Sequence, residues 1–382
     1  MLPSSSLVDT YDASVPSDAA PPKQVNSPTP AGEPRLSVID LFAGAGGLSL
    51  GFHQGSNRYT TTRAVEMDLA AAATYAQNFG DVVYAGDISH WLADESTPSA
   101  DLVLGGPPCQ GFSMIGKRDP LDLRNTLWRP YVEVVRRVMP CAFVMENVPA
   151  FLRSGEYTAF LETFATGELC DYEIRAEILN AADFGAPQVR KRVIVIGVRR
   201  DIPHPGHPEP SGRAPATVRD ALAGIPGFAG SLSLPPRKTR FRGVWLPGAF
   251  KGSDLHITRD WSPLYQDRFR AIPYAGNRHD LPDELSMDCW RNNPRSASDV
   301  MGRLEWEKPS VTIRTEFFKP EKGRYIHPTQ HRAITHWEAA RLQGFPDDYL
   351  WVGDRAQVAR QIGNAVPVPL AEAIGCHLAQ AL

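Results

Sequence analysis

Five cysteines occur in the 382 residues: Cys109, Cys141, Cys170, Cys289 and Cys376. Only Cys109 stands behind two prolines and ahead of a glycine, in "GGPPCQGFS". Pro107 and Pro108 fix φ and remove two donors before the thiol; Gly111 frees the chain after it. A thiol held on such a loop is a nucleophile wherever a neighbour lowers its pKa or takes its proton. A lone cysteine is more often structural, as Cys141 is expected to be at the head of an apolar run. Other groups therefore decide. "MENV" ends an apolar run with Glu146, which is costly to bury without a partner or a task; otherwise it is a surface acid at a strand end. "APQVRKRVIVIGV" sets Arg190 and Arg192 two apart, so on an extended chain both face one way, with Gln188 beside them. The plainer reading is a basic strand edge that resists pairing.

A second constellation suits a ligand. In "DLFAGAGGLSLGF" a strand runs into a glycine turn and then a helix, which lets backbone approach a bound molecule at the carboxyl edge of a sheet. A dinucleotide fingerprint anchored at Gly44 and Gly46 needs glycine at position 49, and Ser49 stands there. A nucleoside without a pyrophosphate is the better fit. Glu66 ends the next strand, where a carboxylate grips ribose hydroxyls. Asp87 is placed to receive an adenine amino group. Turn glycines and surface acids are the alternative.

These residues need elements to position them. "SVIDLF", "TTTRAVEMD", "ADLVLGG", "CAFVMENV" and "KRVIVIGVRR" read as strands, and "LAAAATYAQNF" as a helix. "TLWRPYVEVVRRVMP" puts Leu127, Tyr131, Val134, Val135 and Val138 on one helical face, ended by Pro140. Continuous apolar strands alternating with helices predict an α/β fold with a mostly parallel, Rossmann-like sheet covered on both faces. Residues 1–35, rich in Pro, Ser and Ala, read as a disordered tail. Residues 36–200 are expected to form the domain that carries both constellations. Beyond Arg200, Pro and Gly dominate, and 201–328 reads as a smaller irregular domain. Helical patterning returns in 329–382, expected to rejoin the first domain. Scattered cysteines without a CxxC pair predict neither a disulfide framework nor a metal site. With no secretory signal and no membrane-length apolar run, a cytoplasmic location is expected. The net charge is -3, yet Arg200–Gln330 holds 20 Lys+Arg against 15 Asp+Glu and the remainder 20 against 28. A basic segment beside an acidic one fits a partner that touches part of the molecule.

The motifs "DLFAGAGGLSLGF", "EMD", "GDI", "GGPPCQGFS", "ENV", "QVRKR", "RAITHWEAARLQGFPDDY" and "QIGNAVPVP" together resemble the cytosine-C5 DNA methyltransferase family, in the family's order from Ile39 to Pro369. One departure is His336–Trp337, where such enzymes carry an arginine before the glutamate. The resemblance implies methyl transfer from S-adenosylmethionine to C5 of a cytosine flipped out of double-stranded DNA. It makes Cys109 the nucleophile and Glu146 the acid at ring N3. Arg190 and Arg192 would hold the base oxygen, a phosphate and the developing charge, with Arg192 favoured for the base. Phe42, Gly44, Gly46, Glu66, Asp87, Ile88, Pro107, Asn364 and Val366 would hold the cofactor. Residues 201–328 become the target-recognition domain. Gln110, Ser113, Lys117 and Arg118 in the catalytic loop, and Arg237, Lys238, Arg240 and Arg242 in "RKTRFRGVW", are the expected DNA contacts. A monomer is expected, functionally paired with a restriction endonuclease without a stable complex. Other readings are a tRNA methyltransferase on this scaffold, a silent DNA-binding relative and a nicotinamide oxidoreductase. Gly111 after "PPCQ", the Cys-Glu-Arg set and Ser49 argue against these in turn.

Overall fold

In the computed structural model, which describes residues 34–108, 126–292 and 299–382, the apolar runs become the strands of one sheet. These are β1 (Leu36–Leu41), β2 (Tyr59–Glu66), β3 (Val83–Ala85), β4 (Leu102–Gly105), β5 (Ala142–Asn147), β6 (Tyr172–Asn180) and β7 (Lys191–Arg199), in the order β3-β2-β1-β4-β5-β7-β6. The first five are parallel, and β7 runs antiparallel to both its neighbours. The mostly parallel α/β sheet expected from the sequence is therefore present. Edge strand β6 escapes the periodicity reading. It alternates charged and apolar residues, as an edge that must not pair further does.

Helices cover both faces, which is why the strands between them are apolar throughout. One face packs Leu36, Val38, Leu102, Leu104, Val144 and Ile196 against Leu48 and Phe52 of α1 (Gly47–Gly55) and Leu370 and Ile374 of α11 (Val368–Ala379). The other packs Ile39, Leu41, Val103, Phe143 and Val195 against α3 (Ile88–Asp94), α4 (Trp128–Val138) and α5 (Gly155–Ala165). Helix α2 (Leu69–Phe79) lies over β2 and β3 through Ala72 and Tyr75.

Helix α1 carries glycine at 47, 51 and 55, one stripe at helical spacing. A Cβ would stand 2.7 Å from the Val366 carbonyl at Gly47, 2.6 Å from the Glu372 nitrogen at Gly51 and 2.5 Å from the Glu372 carbonyl at Gly55. The stripe lets the last helix lie backbone to backbone on the first. The C-terminal helix thus covers one face of the N-terminal sheet.

The middle of the chain is irregular. It contains α6 (Val218–Leu222), the hairpin β8 (Lys238–Phe241)–β9 (Val244–Phe250), α7 (Pro263–Ala271) and α8 (Asp288–Arg291). The hairpin extends into a small sheet, order β10-β9-β8, with β10 (Trp351–Val352) from the returning segment. Phe269, Ile272, Leu281, Met301 and Ile326 form a local core. Arginines replace ladder hydrogen bonds there. Arg303 donates to the carbonyls of Phe269, Ile272, His327 and Gln330, and Arg324 to those of Ala275, Gly276 and Arg303. Helices α9 (His336–Leu342) and α10 (Arg355–Asn364) close a further core with Phe250, Ile313, Phe317 and Tyr325. At the departure noted in the sequence, His336 is buried with Nε2 2.9 Å from the Arg355 carbonyl, and Trp337 Nε1 donates to Asp347. The buried Glu338 receives both terminal nitrogens of Arg332 at 2.8 and 2.7 Å.

Candidate active site

Register brings the chemical segments together. Leu41 pairs with Gly105, and Gly105 with Met145, so Phe42 and Gly106 leave the sheet at its carboxyl edge beside Glu146, which is still paired with Ile194. Both glycines after Leu104 are needed for closeness. A Cβ at Gly105 would lie 2.7 Å from the Leu41 carbonyl and 2.9 Å from the Tyr131 ring; one at Gly106 would lie 3.1 Å from Glu146 Oε2. Arg192 Nε sits 2.7 Å from Glu146 Oε1, with side chains 15% and 13% exposed. The acid is thus held by one oxygen, and its other oxygen faces Gly106. Cys109, Gln110, Ser113, Lys117 and Arg118 lie outside the described residues.

Asn147 belongs to this site although sequence reasoning passed over it. Buried at the end of β5, it donates through Nδ2 to the Pro107 carbonyl at 3.2 Å, two residues before Cys109. Its Oδ1 accepts the Val148 N–H. The signal lay in "ENV", where an amide follows the acid at the strand end.

The two arginines expected to share one pocket part company. Arg192 goes to Glu146, whereas Arg190, 3% exposed, donates to the carbonyls of Ile313 and Gly363 at 2.8 and 3.0 Å. Gln188 goes the same way. Its Oε1 accepts Ile313 N–H, and its Nε2 donates to the Leu342 carbonyl and Gln343 Oε1. Alternation set both arginines toward one site, but it does not reveal that the segment of Ile313 and the turn at Gly363 engage Arg190. Burial, with Arg192 nearby, pushes the Arg190 pKa down to about 9, so the guanidinium remains charged at neutral pH.

The glycine turn follows β1. Phe42, Gly44 and Gly46 have φ of 54°, 55° and 89°, in the left-handed region that favours glycine. Glu66 Oε2 accepts the Gly44 N–H at 2.8 Å, and Oε1 the Asp68 N–H at 2.7 Å. Burial raises the Glu66 pKa, and those backbone donors pull it back. A Cβ on Gly44 would meet nothing within 4 Å, so open space lies before the turn. Asp87 caps α3 by accepting Ser89 N–H at 2.7 Å, and Ile88 is buried beneath it. Asn364 is exposed at the end of α10, and Val366 packs its carbonyl toward Gly47. An anchored acid beside open space, with no phosphate-binding glycine at 49, fits a nucleoside-containing ligand without a pyrophosphate.

Ser49 has its own task. Its hydroxyl donates to Asp40 Oδ2 at 2.7 Å and lies 2.7 Å from Tyr75 Oη. Asp40 is fully buried, its Oδ1 lacks a partner among the described residues, and burial raises its pKa to about 7. An aspartate inside the apolar run "SVIDLF" was the available clue.

The basic stretch divides as well. Arg237 pairs with Asp254, and Arg242 with Asp81 at 2.5 Å and the Val83 carbonyl at 3.1 Å, which ties the hairpin tip to the start of β3. Lys238 and Arg240 are exposed, with Arg240 opposite the exposed Trp245. Among the described residues no group of His, Cys, Asp and Glu could hold a metal ion, and no helix is long and apolar enough to cross a membrane.

A mostly parallel sheet whose carboxyl edge carries a glycine turn, an anchored acid after β2 and the Pro107–Pro108 exit of β4 fits an S-adenosylmethionine-dependent methyltransferase. The model of the C-5 cytosine-specific DNA methylase family matches residues 36–380. The chain is 36% identical over 373 residues to the Type II methyltransferase M.XorII of Xanthomonas oryzae pv. oryzae, covering 90% of this chain and 84% of that one. It is 34% identical over 351 residues to M1.HphI of Haemophilus parahaemolyticus, covering 89% and 85%. A solved structure described as a DNA modification methyltransferase encoded within an E. coli prophage superimposes with TM-score 0.68 at 27% identity, over 91% of this chain and 99% of that one. The S. pombe Dnmt2 methyltransferase, at TM-score 0.55 and 18% identity over 91% and 98%, shares the fold. This chain belongs to the C-5 cytosine-specific DNA methylase family. It is a DNA cytosine-5-methyltransferase, and its methyl donor is S-adenosylmethionine.

Proposed function

We propose that the enzyme methylates cytosine in one short duplex sequence, through a covalent Cys109 adduct on a flipped base, as the modification half of a restriction-modification pair. The observation that carries this reading is the Glu146–Arg192 pair, 2.7 Å apart, beside the Asn147-held segment that leads to Cys109. Cytosine C5 is a poor nucleophile. Addition of Cys109 Sγ to C6 saturates the 5,6 bond and makes C5 an enamine carbon. Glu146 hydrogen-bonds or protonates N3 as charge develops there. Arg192 orients Glu146 and reaches the base oxygen, while Arg190 braces that strand from behind. S-adenosylmethionine supplies an electrophilic methyl group. Loss of the C5 proton to a base, expulsion of Cys109 as the thiolate and return of the N3 proton to Glu146 restore the ring.

Phe42, Gly44, Gly46 and Glu66 hold the cofactor beside Asp87, Ile88, Pro107, Asn364 and Val366. Residues 201–328 read the DNA, and 329–382 return to the catalytic domain of 36–200. Lys238 and Arg240 are the cations of that hairpin best placed for phosphate, since Arg237 and Arg242 already have acidic partners. Gln110, Ser113, Lys117 and Arg118 contact DNA from the catalytic loop. The "Type II methyltransferase" names of the relatives support the restriction-modification role. The protein works as a cytoplasmic monomer, without a stable complex with its endonuclease.

The test is expression in a host that lacks cytosine methylation, with 5-methylcytosine mapped at base resolution. The wild type marks one short motif, and Cys109→Ala marks none. Marking by Cys109→Ala would sink the covalent mechanism; marks without a common motif would sink the sequence specificity.

A further inference from the structure

A methyltransferase that flips a base must hold the strained backbone around it, and phosphate contacts supply that grip. Neither arginine of "QVRKR" is available in the described arrangement. Arg192 is bound to Glu146, and Arg190 is buried on two carbonyls. A third guanidinium stands on the same seam. The segment 310–315 runs beside 187–190: Ser310 N–H donates to Pro187, Val189 N–H to Ser310, and Ile313 N–H to Gln188 Oε1. Its far side abuts the turn that ends α10. A Cβ on Gly363 would lie 2.4 Å from Thr315 N and 2.5 Å from the Arg314 carbonyl carbon. The Arg314 peptide is therefore wedged between the segment that carries Arg190, two residues from Arg192, and the Gly363–Asn364 turn.

Arg314 itself is exposed. Its Nε donates to Tyr325 Oη at 3.1 Å, and Tyr325 Oη in turn donates to the Thr312 carbonyl at 2.8 Å. That bond fixes the inner end of the guanidinium and leaves Nη1 and Nη2 without partners among the described residues. No carboxylate among them pairs with it. A planar fork, braced at Nε and open at both terminal nitrogens, suits a phosphate.

We propose that Arg314 binds a DNA backbone phosphate flanking the cytosine held at Glu146 and Arg192. The assignment rests on the proposed action on duplex DNA. It makes Arg314 a positioning residue that grips the strand, apart from the base chemistry and from the cofactor pocket.

The experiment compares wild type, Arg314→Gln and Arg314→Lys on a duplex containing the enzyme's mapped motif. It reads the dissociation constant across a salt series, the KM for S-adenosylmethionine and the melting temperature. One lost phosphate contact lowers the salt slope by about 0.9, which weakens binding about eightfold near 0.1 M salt. Arg314→Gln is expected to show both changes, with the cofactor KM and the methylated motif unaltered. Arg314→Lys is expected to recover the slope. An unchanged slope and affinity in Arg314→Gln, with a wild type that methylates the duplex, overturns the assignment alone. A shift confined to the cofactor KM or the melting temperature overturns it too. A wild type that leaves duplex DNA unmethylated overturns the underlying reading together with the assignment.

Discussion

At Glu146 one carboxylate oxygen is committed to Arg192, and the other faces a glycine that cannot crowd it. Such a group is oriented before substrate arrives, and orientation is much of what an acid near a reacting ring needs. The same strand end holds the Pro107 segment, two residues before the proposed nucleophile Cys109, through Asn147. Replacing Asn147 with Ala leaves the Pro107 carbonyl and the Val148 N–H without their partner, a stability cost of about 1–2 kcal/mol. Turnover is expected to fall by more than unfolding accounts for, at least about tenfold, because a small misplacement of a reacting group is costly. Single-turnover methylation well below the melting temperature separates the effects. A rate equal to wild type would remove Asn147 from the machinery. The sequence displays Glu146 and Arg192 clearly, since charge at the end of an apolar strand is conspicuous. It conceals Arg190's partners, because Ile313 and Gly363 are more than a hundred residues away and present only backbone oxygens.

Among the elements, α1 shows how one stretch answers two demands. Its leading glycines read as a ligand turn, and Gly44 and Gly46 do take left-handed φ. The spacing of Gly47, Gly51 and Gly55 serves something else, the approach of α11. Gly51→Ala decides between the two forces acting there. In an isolated helix alanine is favoured over glycine by roughly 1 kcal/mol. Here its Cβ would stand 2.4 Å from Ala371 Cβ, 2.6 Å from Glu372 N and 2.7 Å from the Val368 carbonyl, two of them backbone atoms that cannot rotate away. Overpacking of this kind costs typically about 1–3 kcal/mol. A net destabilisation is therefore expected, read as a lower urea midpoint with an unchanged slope. A higher midpoint would show that the helices are not held at contact by the stripe. Strands β1, β2, β4, β5 and β7 were legible because strands buried on both faces write themselves as apolar runs, whereas the short β3 and the charged edge β6 do not. The region beyond Arg200 was not, because arginine-to-carbonyl bonds such as those of Arg303 leave no period in the sequence.

Across the whole molecule, burial of ionisable groups sets a pH dependence whose sign can be worked out. Burial holds His53, His327 and His336 down at about 4, against an ordinary 6.5. The unfolded chain takes up those protons first, so their contribution is full above about 6.5 and is lost as pH falls toward 4. Asp40 works in the opposite direction. Its folded pKa of about 7 exceeds the ordinary 3.8, so its contribution is full below about 4 and is lost as pH rises through 7. Moving from pH 7 to pH 5, each of the three histidines removes about 2 kcal/mol and Asp40 returns a similar amount, a net loss of about 3–4 kcal/mol. The melting temperature is expected to drop over that interval. Asp40→Asn keeps an acceptor for Ser49 but cannot titrate, so it removes the only opposing member of the four. Its melting temperature should fall more steeply from pH 7 to pH 5 than that of the wild type. Parallel curves for the two proteins would mean that Asp40 is already ionised in the folded enzyme, with the Ser49–Tyr75 hydroxyls sufficient to hold a buried charge beneath the glycine turn.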